Sequence, residues 1–497
     1  MVIVLIAALV IPAVTGTYLI LSGRGFKVVP EENANMISLV ASIATAFLVV
    51  ATVMARPVLN QPWLTSLGVR LHFAVDGISA PLLLLTALLS VAVVVHAHSR
   101  PSHGGSPSTF YGCLQLVELG ALATFLARDA VIFYVSFEIV LIPMWVLISR
   151  YGDSHDLAAR RDAAGRFVLY TVLGSTLMLI GILALVQASG TADLNALAAL
   201  HGAGLARSTQ ITIAALLLVG MGIKIPIWPL HTWLPPAHTI APTAGSVMLA
   251  AVLLKMGTYG VVRLAIAPLP LGFGALAPAF ATLGVIGIIW GGLACLVEND
   301  LKRLIAYSSV AHMGFVVLGL ASGTTVGLQA ALFANIAHGV VSALLFFLVG
   351  GLKERWGSAD IATARAALRE VSPRLGIALV VGFAASLGLP GLVGFWGEFL
   401  AMYSAWNPAP DRPQGYMRFL VIMAVLGAGV AAAYSLRVLR LIWSGDRATP
   451  AHADARGGEW SVLSVLVAAV LILGVAPGLL LNSTYKDAAA ITMEVPR

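Results

Sequence analysis

Charge is scarce in this sequence. Asp, Glu, Lys and Arg together make up 10% of its 497 residues, against roughly 25% in a soluble domain. That scarcity excludes a water-facing globule of this size. Cysteine is scarcer still: Cys113 and Cys295 are the only two. Both lie inside apolar runs and neither belongs to a CxxC, which excludes an iron–sulfur site and a disulfide framework. No loop is long enough for a soluble catalytic domain, and no basic stripe interleaved with aromatics occurs. The excess of 29 Lys plus Arg over 22 Asp plus Glu is therefore read as membrane topology and not as nucleic-acid binding. Gly-rich strings at 272–276 and 427–431 follow no strand, so they signal close helix packing and not a nucleotide site.

What is present is hydrophobic length. Hydrophobic residues make up 59% of the chain and its mean hydropathy is +0.94. A run of about 20 apolar residues crosses the hydrocarbon core of a bilayer, and such runs recur throughout. The sequence predicts an all-α membrane protein of about fourteen transmembrane helices, over 2–22, 35–55, 77–96, 111–127, 130–149, 167–188, 211–234, 245–267, 279–297, 304–322, 327–352, 376–406, 419–443 and 460–481. The first run lacks a basic n-region and reads as a retained helix. Summed over alternate loops, eighteen basic residues fall on one side, from Arg24 and Lys27 through Arg100 and Arg365 to Arg447 and Arg456. Nine fall on the other, from Arg56 and Arg70 to Arg497. The richer side marks the cytoplasm, so both termini are expected to face outward.

The informative residues are ionisable groups inside apolar runs: Glu118, Glu138, Lys224, Lys255, His312, His338 and Glu398. The first six fall within about two residues of their span midpoints, the depth farthest from water. A charge at a helix centre costs roughly 2.5–3.5 kcal/mol on the insertion scale, so the five Glu and Lys would cost on the order of 12–17 kcal/mol. Any one of them could be a buried ion pair that fixes packing. The whole set, of both signs and at one depth, favours a proton path. Making or breaking a Glu–Lys pair loads or releases a proton, and histidine relays between such groups near neutral pH.

Two helices read as broken beside these charges. Pro226 and Pro229 follow Lys224, and Pro390 sits among Gly388, Gly391, Gly394 and Gly397 just before Glu398. Proline removes an amide donor and clashes with the preceding turn, and irregular backbone at membrane depth needs protein or a watery cavity to satisfy it. Discontinuous helices in two halves mark transport sites in repeated folds. The separations Glu138 to His312 and Lys224 to Glu398 are both 174 residues. The sequence thus predicts two inverted five-helix repeats, 106–270 and 271–445, preceded by three helices (1–105) and followed by a C-terminal helix and tail (446–497).

The segments 228–260, 298–315 and 386–399 resemble the antiporter-like subunits shared by respiratory complex I and Mrp-type cation/proton antiporters. VDGISAPL (75–82), AAYSLRVLR (432–440) and VAPGLLL (475–481) extend the likeness over nearly the whole chain. Among those subunits the subunit M (NuoM) type is favoured, because the chain lacks a lateral helix and carries Glu398 where related types have Lys. The resemblance implies a bacterial inner-membrane subunit of a proton-translocating NADH:quinone oxidoreductase beside NuoL-type and NuoN-type neighbours. It implies no cofactor in this chain, with NADH, FMN, Fe–S clusters and quinone in partner subunits. It gives Glu138 and Lys224 as a charge pair, Lys255 as a link, His312 and His338 as a central relay, Glu398 as the terminal proton exchanger, and a further carboxylate at Glu118. An Mrp-type antiporter, a hydrogenase-linked subunit and a non-conducting spacer are the alternatives. Two positions depart from the family: Pro236 stands where Asp is usual and Ile240 where Glu is usual. That loss puts the family's proton entry in doubt, with His231 and His238 remaining nearby as interfacial loop residues.

Overall fold

A computed structural model describes residues 1–23, 30–65, 68–99, 104–153, 156–361, 367–444 and 453–492, and helices dominate it. Arg24, Lys27, Arg100, Arg365, Arg447 and Arg497, all used for the orientation, lie outside the described residues, as does the boundary at 445–446. The chain opens with α1 (Val2–Leu21) and α2 (Ala34–Ala55), which leave much of their apolar surface facing outward. One β-hairpin follows, β1 (Val58–Leu64) and β2 (Val69–Ala74), antiparallel with Leu59 opposite Phe73. It corrects the wholly α-helical expectation. The β2 segment VRLHFA buries Val69, His72 and Ala74, and a half-buried pleat of this kind is too short to stand out between two apolar runs.

Next come α3 (Ser79–Ser99), α4 (Pro107–Leu126), α5 (Ala130–Ile139), α6 (Leu141–Tyr151), α7 (Leu157–Ser189) and the short α8 (Leu194–Leu200). Asp129, Asp156 and Asp193 cap α5, α7 and α8 through their side chains, satisfying amides that a helix start leaves free. The α7 helix begins ten residues before the predicted span, so Arg160, Arg161 and Arg166 ride on helix and not on loop.

The first predicted break separates α9 (Arg207–Lys224) from α10 (Leu234–Ile240). There the Trp233 indole donates to the Ile223 carbonyl at 2.9 Å. The following segment, Thr243–Ile266, alternates α11 (Thr243–Met248) and α12 (Leu254–Gly260) with π-helical stretches at Leu249–Leu253 and Val261–Ile266. Then come α13 (Pro270–Val297), α14 (Leu301–Ala321), α15 (Thr325–Trp356) and the single turn α16 (Leu368–Val371). The second break separates α17 (Pro373–Ser386) from α18 (Val393–Trp406), and α19 (Gln414–Val438), α20 (Gly457–Val475) and α21 (Gly478–Thr492) complete the chain.

Twelve helices among the described residues are long and apolar enough to cross a bilayer, and the two broken segments are not among them. Burial ranks the helices. The best membrane window of α15 is wholly enclosed, and those of α4, α14 and Thr243–Ile266 are nearly so. Side chains such as Phe47, Ile142, Leu169 and Val297 on the outer helices are more than two-thirds exposed, as a lipid-facing shell requires.

The two ends of the bundle hold different polar clusters. At one end Asp76 accepts from Arg263 and lies 3.1 Å from Arg128 Nη2, while Arg128 Nη1 donates to Tyr259 at 2.7 Å. Burial pushes the Asp76 carboxyl up, but the guanidiniums of Arg263 and Arg128 outweigh it and hold it well below the usual carboxylate range. His72 Nδ1, on the hairpin, lies 2.6 Å from Asp193. At the other end Lys353 pairs with Asp153, and Arg355 grips Glu459 in a fork at 2.8 and 2.7 Å.

Candidate proton-transfer site

The enclosed helices carry the predicted ionisable residues, and four of them meet. On α12, between its two π-helical stretches, Lys255 is fully buried. Its Nζ donates to the Ala250 carbonyl at 2.7 Å and lies 2.5 Å from His338 Nδ1 on α15. π-Helical turns commonly accompany functional positions in helices. The His338 and His312 rings are 5.8 Å apart. His312, on α14, contacts Glu398 Oε1 through Nδ1 and Ser386 through Nε2, each at 2.9 Å. Ser386 closes α17 and Glu398 opens the second turn of α18, so the second break brings acceptor and hydroxyl together around one imidazole. A cavity lined by His312, His338, Ala334, Ser386 and Glu398 fills the space between the two histidines. His338 Nε2 has no protein partner, and a water there would bridge it onward.

Lys224 and Glu138 form a looser pair. Lys224 is buried at the end of α9, with its ammonium over the Phe137 ring at 5.0 Å. Glu138, on α5, is within electrostatic reach of it, but no ion pair within 4.0 Å joins them. Lys224 lies just before its break and Glu398 just after its own, so the two charges sit on opposite sides of their irregular segments. Glu118 stands apart on α4. Its Oε2 accepts from Ser42 at 3.3 Å, in a pocket shared with Ser90 and Gln115.

His238 is not an interfacial loop residue. It lies on α10, fully buried, stacked on Phe346 of α15 at 4.6 Å, with neither ring nitrogen partnered. Lys255 and Lys302 are within its electrostatic reach. Lys302, which the sequence assigns to the cytoplasmic loops, is also buried, and its Nζ donates to the Ala241 carbonyl at 2.8 Å. His231 is buried as well, near the Tyr307 ring. Periodicity could not have found Lys302 or His238. Both are covered by elements far away in sequence, and only the folding of α10 across α14 and α15 encloses them. Among the described residues no group of His, Cys, Asp or Glu could hold a metal ion.

This architecture defines a class: a multi-pass helical membrane protein with broken helices and a string of buried ionisable side chains. The comparisons narrow it. The family described as NADH:quinone oxidoreductase/Mrp antiporter, TM, matches residues 127–426. NADH-quinone oxidoreductase subunit M of Rhodobacter capsulatus is 33% identical over 494 residues, covering 94% of this chain and 92% of that one. An NAD(P)H-quinone oxidoreductase chain 4 of Trichormus variabilis is 35% identical over 428 residues, covering 85% and 78%. A chain of respiratory complex I from Thermus thermophilus superposes with a TM-score of 0.86 at 30% identity, covering 98% of this chain and 99% of its own. A chain of the Mrp complex from Dietzia shares the fold alone, with a TM-score of 0.85 at 23% identity over 98% of this chain and 52% of its own. The chain belongs to the NADH:quinone oxidoreductase/Mrp antiporter membrane family.

Proposed function

We propose that this chain is the subunit M-type proton-translocating subunit in the membrane arm of an NADH:quinone oxidoreductase. In this reading fourteen spans form two inverted repeats, 106–270 and 271–445, between the N-terminal helices 1–105 and the C-terminal segment 446–497. Both termini face the outer side of a bacterial inner membrane. NuoL-type and NuoN-type subunits flank the chain, and NADH, FMN, Fe–S clusters and quinone belong to other subunits. The observation that carries the reading is the buried string Lys255, His338, His312 and Glu398, with side-chain contacts of 2.5 and 2.9 Å at its two ends and a small, mostly apolar cavity against both histidines.

Each member has a part in the transfer. Lys255 and His338 share a proton across their contact. His312 gains a proton at Nε2 from the Ser386 hydroxyl, which is replenished from the cavity that it lines, and gives its Nδ1 proton to Glu398. Glu398 exchanges with the outer side. Lys224 and Glu138 bias this string, their separation changing as the neighbouring subunit shifts. Moving one charge against about 100 mV costs roughly 2.3 kcal/mol, so the work comes from electron transfer elsewhere in the complex. Glu118 serves as a separate protonatable store on the α2–α4 side.

The test is Lys224→Ala in the assembled complex, with NADH oxidation and ΔpH followed together. Collapse of both with assembly intact supports the reading. Persistence of both at wild-type rates makes the buried charge structural and leaves a non-conducting spacer.

A further inference from the structure

Position 236 is Pro and position 240 is Ile, so α10 offers no carboxylate to proton uptake at the inner end of the first break. Two side chains and one backbone amide converge on that end instead. The Asp153 amide, just beyond α6, donates to the Ile240 carbonyl at 2.8 Å. Lys302 Nζ donates to the next carbonyl, Ala241, at 2.8 Å. Ser246 Oγ donates to the His238 carbonyl at 3.1 Å. The Asp153 carboxylate pairs with Lys353 near the end of α15, and their side chains are 20% and 25% exposed. Deeper in, Lys302 is 4% and His238 0% exposed. Exposure therefore falls in order from Asp153 to Lys302 to His238, and His238 lies within electrostatic reach of Lys255 and His338. Other charges around Lys302 are Asp300, whose side chain caps α14 through the Arg303 amide, and Glu354.

We propose that Asp153 is the inward-facing proton donor of this chain, loading Lys302 and through it His238 and the central string. The proposal rests on the proton-translocating reading above. A proton from the inner water adds to an Asp153 carboxylate oxygen, and the Coulomb attraction to Lys353 lapses. The O–H proton then passes to Lys302 Nζ while that amine is neutral, which restores the carboxylate and its ion pair. Lys302 returns to the neutral amine by giving a proton, by way of water, to a His238 ring nitrogen. Lys353 keeps its proton throughout and takes no part in the transfer.

Residue 240 offers a direct check. A Cβ on Gly152 would lie 2.8 Å from Ile240 Cγ2, so the side chain at 240 packs against the chain leading into Asp153. A carboxylate placed at 240 falls beside the one removed from 153.

The experiment measures NADH-driven proton pumping in membranes holding the assembled complex, for D153N, D153E, K353M and the double variant D153N/I240E. Pumping in D153N is expected to fall by about 100-fold or more, as on removal of a positioned proton carrier. D153E and D153N/I240E are expected to recover most of it, and K353M to retain most of it. Equal losses in D153N and K353M would make the pair a structural tie and overturn the proposal, as would wild-type pumping in D153N. If D153N fails to assemble, K302M takes its place, with the same loss expected and wild-type pumping again overturning the route. Normal pumping in D153N with inactive Lys224→Ala removes only this entry route; normal pumping in both removes the translocating reading itself.

Discussion

Gly388→Ala perturbs the last link of the string without removing an ionisable group. Gly388 lies in the second break with φ +74°, a conformation that costs an L-residue about 1–2 kcal/mol. A Cβ there would also stand 2.7 Å from Glu398 Oε2, whereas ordinary contact begins near 3.4 Å. The carboxylate has to retreat by that difference. Its other oxygen holds His312 Nδ1 at 2.9 Å, and a comparable shift carries it past 3.5 Å, where a hydrogen bond is no longer made. A hydrogen bond to a charged group contributes about 1.5–3 kcal/mol. At about 1.4 kcal/mol per tenfold, proton transfer from His312 to Glu398 slows by roughly 10- to 100-fold. Gly391 supplies the control: its φ is +89°, and a Cβ there meets nothing within 4 Å. Gly391→Ala therefore carries the same backbone strain with no contact to the carboxylate. Thermal unfolding of the solubilised complex should show both variants destabilised, Gly388→Ala by the larger amount. NADH-driven proton pumping, measured per assembled complex, should fall only in Gly388→Ala. Equal pumping in the two variants would refute the assignment of Glu398 to the transfer path.

Two further outcomes follow from the polar clusters at the ends of the bundle. Glu459→Gln breaks the fork with Arg355, whose side chains are 5% and 11% exposed, and leaves a buried cation short of its partner. Removing one member of a buried pair costs about 3–5 kcal/mol, so assembly yield and melting temperature should drop while pumping per assembled complex stays near wild type. Asp76→Asn tests the Arg128–Asp76–Arg263 cluster through pH. The folded carboxyl titrates below its ordinary value of about 3.9, so its stabilisation is fully present above that value and is lost as pH falls through the lower folded one. Wild-type melting temperature should therefore decline on strong acidification with a component that Asp76→Asn lacks, and the variant should already be less stable at neutral pH. Superimposable acid limbs would show that the cluster adds nothing to stability.

Much of this fold was legible because a bilayer makes few demands and makes them strictly. Apolar length located the spans, and proline beside a buried charge located both breaks, since each is a local signal with a single physical reading. The hairpin at 58–74 escaped because its pattern is short and is pinned by distant groups: the Arg128 amide donates to the His72 carbonyl at 2.8 Å, and Asp193 lies 121 residues from His72. The last predicted helix, 460–481, splits into α20 and α21 around Pro477, within a run whose hydropathy does not falter. The site divided in the same way. The enclosure of Lys255, His312 and His338 could be read from their depth and that of Glu398 from its apolar run, but which imidazole meets which partner depends on helix rotation. Lys302 was read as a loop charge because it lies between the predicted spans 279–297 and 304–322, and its burial beneath α10 involves residues 61 positions away.

The contact between Lys255 and His338 carries its own constraint on how the string works. At 2.5 Å two positive charges repel by about 7 kcal/mol even at an effective dielectric of 20. Among the described residues neither group has a carboxylate in hydrogen-bonding contact to offset that repulsion. The pair therefore holds at most one proton, shared along the line between Nζ and Nδ1. A second proton arriving from the side of His238 and Lys302 cannot be stored beside the first and must displace it. The exit from His338 is the cavity, and the negative group beyond the cavity is Glu398, held against His312. In the proposed proton-translocating reading, repulsion behind and a carboxylate ahead give the transfer its direction. Reversal requires that Glu398 already hold a proton, which makes the protonation of Glu398 the point at which a neighbouring subunit can govern the flow.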